Sequence, residues 1–137
     1  MTRSIAGLLL DTHVLLWWTS QQRLLSRVQR STLTTLQDQG DSFAISSITL
    51  WELAMMAGRG LISLPMPADL WLGEIERDPG IVIMPLTARI ASESVRLNSV
   101  FPKDPADRLI VATARCHGLQ VVTADRRIRR WGGVAVL

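Results

Sequence analysis

Four acidic residues far apart along the chain, Asp11, Glu52, Asp107 and Asp125, stand where carboxylates can do chemistry. Asp11 ends the apolar run Ile5-Ala6-Gly7-Leu8-Leu9-Leu10, and Asp125 closes Gln120-Val121-Val122-Thr123-Ala124. Continuous apolar runs of this length read as strands buried on both faces of a parallel sheet, and open α/β sheets bind ligands beyond the carboxyl ends of their strands. Glu52 falls in the first turns of the helix expected after the short strand Phe43-Ala44-Ile45, and Asp107 follows Asp104-Pro105-Ala106. Carboxylates crowded together raise each other's pKa and need compensating charge. With no Cys or His cluster in the chain, all-oxygen ligands point to Mg²⁺ or Mn²⁺ and away from structural zinc. Such an ion can grip a phosphate oxygen, lower the pKa of a bound water and neutralise a leaving alkoxide.

Each acid also has a plainer reading. Asp104-Pro105-Ala106-Asp107 is a helix start, with Asp104 at N-cap, Pro105 at N1 and Asp107 at N3, where the free N–H groups of the first turn welcome negative charge. Capping accounts for Asp104 taken alone. It accounts less well for Asp107, which enters a helix whose next residues, Leu109-Ile110-Val111-Ala112-Thr113-Ala114, are apolar on nearly every side and so buried. Asp11 could cap the helix opening at Thr12. Glu52 could be an ordinary exposed glutamate, although Trp51, Leu53 and Ala54 surround it.

Strands and helices must alternate to deliver these residues to one edge. Helical spacing is read over residues 24–39, ending at Gly40; over residues 46–56, capped by Ser46 or Ser47; over residues 67–76; and after Thr87. The central helix runs from Pro105 to His117 and stops at Gly118. Further buried strands are expected at Ile81-Val82-Ile83-Met84 and at Val134-Ala135-Val136, with a short helix or turn over residues 128–131. The pattern predicts one domain over residues 1–137: a three-layer α/β/α sandwich with a mainly parallel central sheet. Right-handed crossovers keep the strand ends on one edge, and the start of a crossover helix faces the same edge, which brings in Asp107.

At 137 residues the chain suits a single core. A hydrophobic content of 47% with a mean hydropathy of +0.21 leaves room for an oligomer interface. The stretch Ile5 to Trp18, broken by Asp11 and His13, is too short and too polar to span a bilayer. It follows Met1-Thr2-Arg3-Ser4 without a small-residue cleavage site, so no signal peptide is expected. The single Cys116 fits a reducing cytoplasm. A net charge of +3, with acids set aside for an ion, favours a polyanionic partner. There is no P-loop, no G-x-G-x-x-G and no G-x-S-x-G. His13 is read as a surface or interface residue, and the tryptophans as core or dimer contacts.

Taken together, Leu8-Leu9-Leu10-Asp11-Thr12-His13, Ser46 with Trp51-Glu52, Asp104-Pro105-Ala106-Asp107-Arg108 and Val122-Thr123-Ala124-Asp125 resemble the PIN-domain ribonucleases, most closely the VapC-like toxins of bacterial toxin–antitoxin pairs. The resemblance covers essentially the whole chain. It implies that Asp11, Glu52, Asp107 and Asp125 hold Mg²⁺ or Mn²⁺, with Asp104 an accessory acid and Ser46 a polar neighbour of the site. It also implies a homodimer that cuts RNA, often tRNA, and is silenced by a VapB-like antitoxin. After the final acid the family often carries a polar residue and an aromatic, whereas Arg126-Arg127-Ile128 stands here.

The expected reaction is metal-dependent hydrolysis of RNA phosphodiester bonds. Arg126, Arg127, Arg129 and Arg130 form the densest basic cluster and, with Lys103 and Arg108, are candidates for phosphate contacts; each could equally be a solvated surface charge. A receiver-type phosphoacceptor domain also clusters acids at strand ends, but it needs an early acidic pair and a late lysine, and Lys103 is the only lysine. The remaining alternative is a catalytically weak or inactive module that binds RNA and an antitoxin.

Overall fold

Strand β1, Ile5–Leu10, divides its side chains between two cores, Leu8 and Leu10 on one face of the sheet and Leu9 on the other. The computed structural model describes residues 5–137, Ile5 and Ala6 by backbone alone. Met1 to Ser4, weighed above as the start of a signal peptide, lie outside the described residues. Strands β2 (Ser42–Ser46), β3 (Ile81–Met84) and β4 (Gln120–Val122) complete an all-parallel sheet in the order β3-β2-β1-β4. Gly7 adopts φ +78° where the register of β1 against β2 shifts, a bulge conformation that a residue with a Cβ rarely takes.

The chain therefore winds outward from β1 through β2 to β3, then returns to place β4 on the other side of β1. At that reversal the connections leave the neighbouring strands β1 and β4 in opposite directions, and a crevice opens beyond their carboxyl ends. Backbone pairing carries past β1 itself, since the Asp11 amide donates to the Val122 carbonyl at 3.0 Å.

Helices cover both faces. On the Leu8 and Leu10 side lie α1 (Thr12–Ser20), α2 (Arg27–Asp38) and α4 (Ala68–Arg77), which contribute Val14, Leu33 and Trp71 among others. Helix α3 (Ser47–Gly58) adds Leu53 to this core and turns Ile48 toward the other. On the Leu9 side lies α6 (Pro105–His117), whose Ile110, Val111, Ala112 and Ala114 are wholly buried, with α5 (Ala88–Arg96) packed against it. Because α6 leads into the parallel strand β4, it runs antiparallel to the sheet, and its N-terminus lies at the strands' carboxyl edge. A third cluster of Leu97, Phe101, Val111 and Ile128 fixes α7 (Arg126–Trp131) beside α6.

Three boundaries differ from the sequence reading. The helix expected over residues 24–39 divides into a 3-10 turn at Gln22–Leu24 and α2, because Ser26 and Gln29 form a reciprocal capping box that fixes a new start. The expected strand at Val134-Ala135-Val136 is an isolated parallel bridge, Val121 to Val136, held by the Leu137 amide on the Val121 carbonyl at 2.8 Å. Helix α7 begins at Arg126, two residues before the expected start, since Asp125 caps it.

Candidate active site

Asp11, Asp104 and Asp125 each cap a helix at the carboxyl edge of the sheet: α1, α6 and α7 respectively. Asp11 accepts the Thr12 amide at 2.8 Å, Asp104 accepts the Ala106 and Asp107 amides at 2.9 and 3.2 Å, and Asp125 accepts the Arg127 amide at 2.8 Å. The capping reading and the site reading are therefore compatible. Three helix N-termini aimed at one crevice present partial positive charge that makes the gathering of acids tolerable.

The acids meet in a cavity of 360 Å³ lined by Asp11, Glu52, Asp104, Asp107 and Asp125, together with Thr12, His13, Trp17 and Arg127. Asp11 is 7% exposed, the deepest of the set. Its second oxygen accepts the Thr123 hydroxyl at 2.8 Å, and that hydroxyl in turn accepts the Asp125 amide at 3.0 Å. Thr123 so couples the end of β1 to the start of α7. On the other side, the Thr12 hydroxyl donates to Glu52 Oε1 at 2.5 Å and lies 3.0 Å from the Thr49 hydroxyl. Thr12 has a single proton to give, so Thr49 is the donor to Thr12. These three threonines are buried.

The electrostatics are unbalanced. Burial, and after it the charges of Asp11, Asp104, Asp125 and Glu52, pushes the Asp107 carboxyl up to about 7. Burial also raises Asp11 and Glu52, against the hydrogen bonds from Thr123 and Thr12 that favour their charged forms. Asp125 alone is lowered, chiefly by the hydrogen-bonding Arg127 guanidinium. Arg127 contacts Asp125 through two nitrogens at 2.9 and 3.2 Å and reaches Asp107 at 3.6 Å. The donor set is dominated by carboxylate oxygen and its charge exceeds what one guanidinium offsets, which suits Mg²⁺ or Mn²⁺. As placed, no three His, Cys, Asp or Glu side chains among the described residues are grouped closely enough to hold one metal ion.

Of the residues singled out in the sequence, Ser46 does not line the cavity; its buried hydroxyl accepts the Ile48 amide and caps α3. Arg108 turns to the Ser94, Leu97 and Phe101 carbonyls, with its guanidinium 5.6 Å from the Phe101 ring centre. Arg129 holds the Thr123 and Leu137 carbonyls at 2.6 and 2.8 Å. Arg126, Arg130 and Lys103 are exposed and outside the cavity lining. Only Arg127 among the basic candidates lines the cavity. The sequence reading missed Thr12, Thr49 and Thr123 as supports; His13, read as a surface or interface residue, is exposed and also borders the acids. The one signal in the sequence was that Thr12 and Thr123 stand within two residues of a strand-end aspartate; nothing marked Thr49, inside α3.

Residues 8–134 match the PIN domain. Over 121 residues the chain is 38% identical to the ribonuclease VapC22 of Mycobacterium tuberculosis, with 88% of each covered. Among solved structures, VapBC2 from Rickettsia felis bound to a promoter DNA fragment superposes with a TM-score of 0.71 at 18% identity, covering 95% of this chain and 96% of that one. DNA-bound VapBC from Salmonella typhimurium gives 0.68 at 22% identity, covering 100% and 98%. At those identities the superpositions speak for the fold.

Proposed function

The chain belongs to the PIN-domain family, and on that footing we propose that it is an endoribonuclease that hydrolyses RNA phosphodiester bonds with Mg²⁺ or Mn²⁺. The carrying observation is the single cavity into which Asp11, Glu52, Asp104, Asp107 and Asp125 converge at the reversal point of the sheet. Asp11, Asp107 and Asp125 would hold the ion, directly or through water, with Asp104 accessory. When bound, the ion supplies Lewis-acid activation of water and neutralises charge on the leaving oxygen.

The chain's own groups do the rest. Thr123 and the Thr12 amide fix both oxygens of Asp11, so its carboxylate is oriented before substrate arrives. Glu52 either completes the ion's surroundings or orients the attacking water. Its Oε1 is occupied by Thr12, which leaves Oε2 without a protein donor among the described residues and free to take the water's proton. The water oxygen attacks phosphorus, the bond to the 3′ oxygen breaks, and that oxygen takes a proton. The products carry a 5′-phosphate and a 3′-hydroxyl, because the nucleophile is water and not the ribose 2′-OH.

The relatives' names support a biological setting as well. A ribonuclease VapC relative and VapBC complexes among the structural neighbours favour a toxin with a VapB-like antitoxin, acting on RNA in the cytoplasm. No helix among the described residues is long and apolar enough to cross a membrane. Exposed Trp51, Leu61, Leu70, Val95 and Val100 offer apolar surface for a homodimer and an antitoxin.

The second reading, a weak or inactive module that binds RNA and an antitoxin, draws on the spacing of the carboxyl groups, no three of which are grouped to hold an ion as placed. Incubating the purified protein with RNA in Mn²⁺, in Mg²⁺ and in EDTA separates the two. The nuclease gives 5′-phosphorylated fragments with either ion and none in EDTA. RNA retained but uncut in all conditions would favour the binder.

A further inference from the structure

Arg127 holds an unusual place for a surface arginine. Its side chain is 63% exposed, yet its guanidinium bridges two acids from different elements, Asp125 at the start of α7 and Asp107 in the first turn of α6. The neighbouring basic residues do not share that position: Arg126 makes no ion pair among the described residues, and Arg108 and Arg129 are committed to backbone carbonyls. The cation of Arg127 thus lies against two of the three aspartates proposed to hold the metal ion. The two cations want the same oxygens, and a dication close to a guanidinium is repelled by it.

From this we infer that Arg127 is a built-in counter-cation of the acid cavity, which a divalent ion must displace from Asp107 and Asp125 in order to bind. The inference rests on the metal reading of the site. Being mostly exposed and anchored only at the first turn of a short helix, the side chain can leave without disturbing the core. Once displaced it remains at the rim, where a phosphate of the RNA is the next available anion. By linkage, the factor by which Arg127 weakens the ion equals the factor by which the ion weakens the Arg127 pairing.

Calorimetric titration with Mn²⁺ tests this without measuring cleavage. Four forms are compared: wild type, Arg127→Ala, Arg127→Lys and Arg126→Ala, each first shown by circular dichroism to be folded. Arg127→Ala is expected to bind Mn²⁺ on the order of 10-fold more tightly than wild type, within the range of ordinary coupling between sites. Arg127→Lys, which keeps the charge without the two-pronged geometry, should fall between them. Arg126→Ala removes the same charge one residue away and should stay within about twofold of wild type, since exposed unpaired charges are well screened. Equal or weaker binding by Arg127→Ala would overturn the inference while leaving the metal site standing, because Arg127 would then be organising the acids. An equal gain in Arg126→Ala would also overturn it, reducing the effect to a general field. No Mn²⁺ uptake by any form would remove the metal reading and this inference together.

Discussion

The two edges of the sheet carry two cavities with opposite electrostatic character. At the amino edge lies the larger, 740 Å³, lined by Gly7, Arg89, Glu93, Arg115, Gln120 and Gly133 among others. Its one acid is paired, and its spare cation, Arg89, makes no ion pair among the described residues. Arg115 pairs with Glu93 at 2.9 Å, donates to the Gly133 carbonyl and lies 5.4 Å from the Trp131 ring centre. At the carboxyl edge the cavity has 360 Å³, yet five acids share it with Arg127 as their one arginine. Volume alone points to the amino edge. Uncompensated negative charge points to the carboxyl edge, where the proposed site lies, because a site that takes up a cation gains from holding carboxylates in excess.

The sharpest way to break this contrast is to neutralise the deepest acid. Asp11→Asn keeps the shape and removes a charge that burial already disfavours. Cleavage should fall by at least roughly 100-fold, beyond the usual effect of altering a group that merely supports a metal ligand, while the thermal midpoint of the ion-free protein stays level or rises. Near-wild-type cleavage in a gel assay would take Asp11 out of the site. Next in size is Thr12→Val, which deprives Glu52 Oε1 of its hydroxyl donor and leaves Thr49 without its acceptor. Losing a bond that favours the charged form moves the Glu52 pKa further up. Cleavage should drop roughly 10-fold at neutral pH, and the loss should shrink as pH rises, which a pH–rate profile would show.

A smaller effect is visible in stability alone. The Asp107 pKa is raised in the fold from 3.8 to about 7, so the fold prefers the protonated form. Its contribution is fully present below the unfolded value and is lost as pH climbs through about 7. Raised values at Asp11 and Glu52 act in the same direction. Asp125 acts oppositely, its stabilisation being lost only as pH falls through its lowered value, well outside this window. The ion-free protein should therefore melt a few degrees, ~3–5 °C, lower at pH 8 than at pH 5.5. Asp107→Asn should flatten that dependence, and Mg²⁺ should restore the midpoint at pH 8. An identical slope in wild type and Asp107→Asn, followed by calorimetry, would show that crowding at Asp107 is not felt.

Much of this edge was legible in the sequence because its signals are local. An apolar run ending on Asp11, and a proline after Asp104, each declare a boundary within a few residues, and the strands at Ile5–Leu10 and Ile81–Met84 stand as read. What escaped depends on residues distant in sequence. Thr123 meets Asp11 across 112 positions and Thr12 meets Glu52 across 40, and no periodicity marks a hydroxyl aimed at a carboxylate. The arginines escaped for a related reason. Arg127 and Arg129 look alike in the cluster, but two residues of helix turn them to roughly opposite faces of α7, one toward the acids and the other toward the Thr123 and Leu137 carbonyls. The strand expected at residues 134–136 pairs only through the Val121–Val136 bridge, and the chain beside it is tied down by Gln29 and Arg129 on the Leu137 carbonyl.

The least effect should come from the amino edge, and its smallness is what gives the comparison content. Arg115→Ala removes a part-exposed ion pair with Glu93, the bond to the Gly133 carbonyl and the stacking on Trp131. An exposed pair contributes ~0–1 kcal/mol, and the carbonyl it leaves lies where water can replace the donor. The melting midpoint should thus fall by no more than about 2–4 °C, and cleavage under saturating Mg²⁺ should stay within about twofold of wild type. The route by which this could fail is specific. Trp131 closes α7 and packs edge-on against Phe101 at 5.0 Å, and Asp125 caps the start of α7. If Arg115 steadies the whole helix through Trp131, its loss would reach the acids from the far edge, and cleavage would fall out of proportion to stability. Comparing Arg115→Ala with Glu93→Gln decides between the two, because the second variant breaks the ion pair and leaves the Trp131 contact in place. Equal, minor effects from both would confirm that the amino edge serves the fold alone.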